Sequence, residues 1–474
     1  MAWKAMPPPG AIIVLGVRDT ARCFMTTPPT HGILRAIMMQ PLVHVLVINW
    51  NGLEHLEACY DSLIAQGYEN ARFVLLDNGS TDESVEFVRQ RYGHDSRVRI
   101  LQFQYNLGWS GANNRGMEAA LEVGADYVFL LNNDTALAPD CVERLVALGE
   151  TRPDVGGIAP KMRLFHEQQI LNSVGLECSV IGACWDRGLG RLDGPDWDAP
   201  VPAAGVCGGA MFLRAGALKK AGMLPVDFEI YLDDLDLCLR IWDAGYEIQT
   251  CPEADVRHKF SATMGSGEKL RRKYYLNNRN RWRLILRNWP LCHWPRTAAL
   301  ALVGEVRAIG RALLDGEAWK AWIHARSWLD ACLYLREALA ERRHNWKRGL
   351  RRGRFWPLIR TAPLFFPGTE LPERGWYSER VIEGQSVRPI AREAWLETQG
   401  GEATITLVNP YPAQGTAEVA VEQEGQILLT LETGHHTEQR LSLAPGGAVF
   451  RAGHIFRAED TGERIDIGGC LRIE

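Results

Sequence analysis

Three apolar runs constrain this chain more than any other feature. Val43–Asn49 (VHVLVIN), residues 73–77 (FVLLD) and residues 127–131 (YVFLL) are almost uninterrupted, and polar side chains follow each at once. A strand apolar on both sides must be covered on both sides, as in parallel sheets flanked by helices. Between the first two runs, Leu53, Leu56, Cys59, Tyr60 and Leu63 recur at helical spacing. This alternation predicts an α/β domain with a mostly parallel sheet over residues 42–268. Ligands of such sheets collect beyond the carboxyl ends of the strands, so the polar residues after each run are the candidates for function.

Four more segments are expected. Residues 1–41 read as a poorly ordered leader whose one short apolar run is too thin for a signal peptide. Residues 269–360 are helical in pattern, rich in tryptophan and basic, with 22 Lys/Arg against 6 Asp/Glu. The whole chain carries a net charge of −4, so everything outside that stretch sums to −20. Prolines and glycines mark a linker over 361–375, and short alternating runs over 376–474 predict a small β-sandwich-like domain. The eleven cysteines are scattered with no C-x-x-C pair, which fits reduced thiols in a cytoplasmic protein. No run reaches the roughly 18 apolar residues of a membrane span.

Each strand tip carries a cluster. Asn49-Trp50-Asn51-Gly52 follows the first run, and Asp77 opens DNGSTD after the second, where its carboxylate can accept a bond from a base or ribose. The third cluster, residues 106–116 (NLGWSGANNRG), holds Asn106, Gly108, Trp109 and Arg115 near the expected start of a helix, a site that attracts anions. No G-x-G-x-x-G follows the first strand, which disfavours hydride transfer, and no Gly-rich, Lys-bearing loop suggests nucleotidyl transfer. Asn132-Asn133-Asp134 follows the third run, and Asp134 suits a hard divalent cation, Mg²⁺ or Mn²⁺. Further on, Asp233, Asp234 and Asp236 crowd the start of a predicted helix. Part of that acidity serves the helix dipole, but like charges this close also raise one another's pKa and prepare a general base. His258 follows a predicted strand.

The ordered set VLVINWNG, LLDNGSTD, NLGWSGANNRG, LLNNDT, CGGAMFLR, YLDDLDLCLRIWDAGYEI and VRHK resembles the inverting glycosyltransferase family 2, most closely its rhamnosyltransferase-like branch with a GT-A fold. The resemblance covers about residues 42–290. It implies that Asn49, Asn51, Asp77, Asn106, Gly108, Arg115, Asn132 and Asn133 hold a nucleotide-sugar donor, with Gly208 and Gly209 facing the transferred sugar. Asp134 and His258 fall at the metal positions, although Asn132 replaces the first acid of the family's D-x-D motif. Asp234 matches the catalytic base, with Asp233 in place of the usual Glu. Asp233, Asp236 and Trp109 are further candidates on the acceptor side. The implied acceptor is a glycan or lipid-linked hydroxyl, the best-matching donor is dTDP-rhamnose, and the setting is cell-wall or polysaccharide synthesis. The alternative is a non-catalytic sugar-nucleotide or glycan-binding scaffold that retains the fold.

Tryptophans interleaved with arginines in residues 269–360 favour an anionic membrane surface over nucleic acid as the partner of the basic stretch. This suggests peripheral attachment to the inner face of the cytoplasmic membrane.

Overall fold

The first apolar run forms β1 (Val43–Asn49), followed by α1 (Leu53–Ile64), β2 (Ala71–Asp77), α2 (Ser84–Tyr92), β3 (Val98–Gln102), α3 (Gly108–Glu122) and β4 (Tyr127–Asn132). These strands lie in the order β3-β2-β1-β4 and all pair in parallel. The apolar runs are continuous because each strand feeds two cores. Val45, Val47, Phe73, Leu75, Phe129 and Leu131 pack into one layer. Leu46, Val74, Leu76, Val128 and Leu130 pack into the other, as the two-residue strand period requires.

The chain continues through β5 (Thr135–Leu137), α4 (Cys141–Thr151), β6 (Val155–Leu164), β7 (Leu176–Ser179), β8 (Cys184–Asp186), β9 (Ala210–Arg214), α5 (Ala215–Ala221), α6 (Asp233–Asp243) and β10 (Glu247–His258). β9 pairs antiparallel with β4 and extends the sheet to β6, β10 and β5. The order therefore reverses at β1, and the tips of β1 and β4 lie side by side where a mostly parallel sheet binds its ligands.

Helices α7 (Glu268–Asn288), α8 (Trp294–Leu314) and α9 (Ala318–Lys347) follow. The basic residues expected here do not all face solvent. Arg279, Arg281, Arg287 and Arg342 are buried. Arg281 and His324 both bond Glu305, and Tyr274 meets His324 Nε2 at 2.8 Å. Part of the charge surplus is thus consumed inside the fold.

The structure, a computed structural model, describes residues 13–14, 40–259 and 268–362, and most of 380–473 with short breaks. The expected leader, apart from Ile13–Val14 and residues 40–41, lies outside the described residues, as does the linker beyond residue 362. The chain divides into two compact units, residues 1–162, 174–186 and 199–365 in one, and residues 163–173, 187–198 and 366–474 in the other. The C-terminal part of the second is all-β, with seven strands in one hydrogen-bonded path around Ile405, Leu407, Val419, Val421 and Phe450.

Candidate active site

Strand register builds the first half of the site. Asn49 lies opposite Asp77, and Ile48 opposite Asn132, so three predicted residues share one sheet edge. Asp77 is fully buried, and neither carboxylate oxygen makes a hydrogen bond of good geometry. Burial pushes its pKa up, opposed by Ser80 and Asn49 beside it. A buried acceptor without a donor is costly, so Asp77 is suited to a ligand N–H or O–H. Asn49 donates to Ser80 Oγ at 3.2 Å and accepts from Asn133 Nδ2 at 2.6 Å. Gly52 permits that last bond, because a Cβ there would lie 2.1 Å from Asn133 Nδ2. Asn51, at a positive φ of 50°, accepts from the Thr81 amide at 2.7 Å and so fastens the loop after β2.

Asn78, not singled out from sequence, ties two tips together. It donates to Asn106 Oδ1 at 3.1 Å and accepts from the Leu107 amide at 2.7 Å. Helix α3 begins at Gly108 (φ 76°), earlier than expected. Arg115 therefore stands in its third turn, about 10 Å along the axis, rather than at the anion-attracting end. There it pairs with Glu118 at 3.0 Å.

The second half is an acid and an imidazole. Antiparallel pairing sets His258 opposite Thr135, beside Asp134. His258 Nε2 is 3.3 Å from Asp134 Oδ1, which is buried and makes no hydrogen bond of good geometry. Burial alone would raise the Asp134 pKa, but His258 and His55 outweigh it and hold the carboxyl below its ordinary value. Among the described residues, no group of three or more His, Cys, Asp or Glu could hold a metal by itself. Two donors fit a hard cation that takes its remaining ligands from substrate oxygens and water.

Asp233 and Asp234 open α6. Asp233 is buried and accepts from Ser110 on α3. Asp234 keeps an exposed edge and accepts from the Gly208 amide at 2.9 Å and the Leu235 amide at 2.7 Å. Burial raises its pKa, and the charges of Asp233 and Asp186 raise it further. Burial likewise raises Asp233. Trp109 closes the other side. Its indole N–H donates to Asn132 Oδ1 at 3.2 Å, and its ring would lie 3.0 Å from a Cβ on Gly208. A Cβ on Gly209 would lie 3.3 Å from the His258 ring. Two consecutive glycines thus touch Asp234 on one side and His258 on the other, which puts the acid and the imidazole at most about 12 Å apart.

Asp236 faces elsewhere. It accepts from Arg240 at 2.8 Å, Arg287 at 3.1 Å and Asn288 at 2.8 Å, and these partners hold its carboxyl below the ordinary value against burial. It joins α6 to α7 and does not belong to the cleft.

The approach to Asp233 is strained. Glu229, Tyr231 and Leu232 all have φ between 64° and 71°, which non-glycine residues rarely adopt. α7 holds this turn. Asn280 donates to the carbonyls of Phe228, Ile230 and Tyr231 at 2.8, 2.9 and 2.9 Å, and Arg279 pairs with Glu229 at 2.7 Å. Sequence reasoning missed both residues, and also Ser110 and Asp186.

The 3-2-1-4 sheet with its antiparallel extension is the GT-A fold, with a cleft at its switch point. A solved structure titled "Crystal structure of GalNAc-T7 with UDP, GalNAc and Mn2+" shares this fold, with a TM-score of 0.51 and 13% identity over 80% of this chain and 71% of that one. Residues 44–163 match the family model "Glycosyl transferase family 2", and residues 127–336 match "Glycosyl transferase family group 2". The chain belongs to glycosyltransferase family 2. It is 26% identical over 249 residues to the N-acetylglucosaminyl-diphospho-decaprenol L-rhamnosyltransferase of Mycobacterium tuberculosis, covering 48% of this chain and 79% of that protein. It is 28% identical over 242 residues to an uncharacterized protein of Sinorhizobium fredii, of which the match spans only 25%.

Proposed function

We propose that this chain transfers a sugar from a nucleoside-diphosphate donor to an acceptor hydroxyl in one displacement, with inversion at the sugar carbon. The observation that carries this reading is the Gly208–Gly209 pair, which faces Asp234 with one residue and His258 with the next. Asp77 accepts from the nucleoside, and the Asn49–Asn133 and Asn78–Asn106 bonds hold the donor shelf in shape. A Mg²⁺ or Mn²⁺ ion held by Asp134 and His258 would neutralise charge on the departing diphosphate. Asp234 takes the acceptor proton as the acceptor oxygen bonds to the sugar carbon and the bond to phosphate breaks. Its raised pKa keeps it basic enough for that transfer. Trp109 walls the space above Gly208 where the sugar would sit. The name of the mycobacterial relative supports L-rhamnose as the transferred sugar and a lipid-linked glycan as acceptor.

The test is donor turnover with a panel of nucleotide sugars and either cation. Asp234→Asn should abolish transfer while donor affinity stays within about three-fold, and Asp134→Asn should abolish the cation dependence of donor binding. Transfer by Asp234→Asn, or unchanged cation dependence in Asp134→Asn, overturns the assignment.

A further inference from the structure

We infer that the outer face of the α8–α9 pair docks on an anionic phospholipid bilayer. Helix α9 carries large apolar side chains on both sides. Its inner side buries Ile323, Tyr334 and Ala338 against the rest of the unit. Its outer side leaves Trp322 68%, Leu329 61%, Leu333 69% and Trp346 72% exposed. On α8, Val303, Val306 and Leu314 are exposed as well. A helix with one solvent face is polar there, and contiguous exposed apolar side chains mark a surface that meets a partner.

The charge on this face identifies the partner. Seven Lys/Arg of the two helices are exposed, against one acid, Glu337, with exposed Asp315 in the link between them. Arg336, Arg343 and Lys347 continue the stripe of Leu329 and Leu333 at helical spacing. A second copy packed about a two-fold axis would set these cations against their own equivalents. An anionic bilayer accepts both components, with tryptophan and leucine entering the head-group boundary and arginine meeting phosphate. Among the described residues, no helix is long and apolar enough to cross a membrane, so the face lies on the bilayer.

Docking on this face would also orient the cleft. α7 clamps the turn before Asp233 through Asn280, and its Arg287 donates to Tyr334 on α9 at 3.0 Å. A bilayer under α9 is thus linked through one helix to the general base, which suits an acceptor carried on a lipid. That consequence rests on the proposed function, whereas the docking does not.

The experiment is flotation of the full chain with phosphatidylcholine vesicles and with vesicles containing phosphatidylglycerol. Wild type should float with the anionic vesicles and be released by salt. Trp322→Ser/Leu329→Ser/Leu333→Ser and Arg336→Glu/Arg343→Glu should each lower the bound fraction at least ten-fold at unchanged melting temperature. Both should turn over a water-soluble acceptor analogue like wild type, so loss of docking is read apart from loss of transfer. Wild type that stays unbound, or variants that float equally well, overturn the inference. So does light scattering that finds a wild-type oligomer which the triple variant dissolves.

Discussion

Asn280→Leu separates positioning from chemistry. The substitution keeps the branched shape of a fully buried side chain, with bulkier methyl groups, and deletes both the donor that supports three carbonyls and the acceptor for Arg279 Nε. Phe228 keeps bonds to its carbonyl from Arg279 at 2.9 Å and from the Ile230 amide at 2.8 Å. The carbonyls of Ile230 and Tyr231 lose this support in a turn with three left-handed residues. Two weakened buried carbonyls cost about 2–4 kcal/mol. Against a stability of roughly 5–15 kcal/mol, the variant still folds at room temperature. Relaxation of the turn moves Asp234, and a displacement near 1 Å lowers turnover by as much as about a hundred-fold. Denaturant unfolding and steady-state kinetics should therefore show a lower midpoint and a lower kcat with donor KM unchanged. A lower midpoint with wild-type kcat would refute the positioning role, and an unchanged midpoint would refute the clamp.

Gly52→Ala forces a Cβ into the Asn49–Asn133 bond, so donor affinity in calorimetry should fall at least about ten-fold while the melting temperature moves little. Asp236→Ala leaves Arg240 and Arg287 buried without their shared acid and should cost about 3–5 kcal/mol in chemical unfolding, an effect on folding rather than on the reaction. Asp234 has a raised folded pKa, so the native state holds the proton more tightly than the unfolded chain, and its stability contribution is lost as pH rises through the folded value. Asp234→Asn should therefore stabilise the fold more at alkaline than at acidic pH, seen in melting curves across pH. The acidic limb of the wild-type rate profile should lie above the ordinary Asp value of about 3.9.

The sheet was legible because its strands are apolar on both faces, and the tips named Asn49, Asp77, Asn132 and Asp134 in advance. Burial direction was not legible. A count of arginines does not say which ones turn inward, so Arg279, Arg281 and Arg287 read as surface charge although they bind carboxylates and carbonyls. Asp234 was singled out because acids crowd its helix start, yet the same pattern drew in Asp236, two of whose partners, Arg287 and Asn288, lie 51 and 52 residues along the chain. The left-handed turn at 229–232 carries no glycine and gave no signal. Asn78 was shadowed by its neighbour Asp77, and Asp186 stands in a short strand well before Asp234, the acid it influences, along the chain.

The β3-β2-β1-β4 half of the sheet closes by residue 132, whereas Asp234 is made about a hundred residues later and Asn280 later still. During synthesis from the N-terminus, the sheet edge with Asn49 and Asp77 can assemble while Asp234, the proposed base, is still inside the ribosome. The emerging chain then gains Asp234 before it gains the helix that clamps the turn leading to it. On the proposed assignment, reactivity is thus the last property the polypeptide acquires, after the sheet edge that would hold the donor.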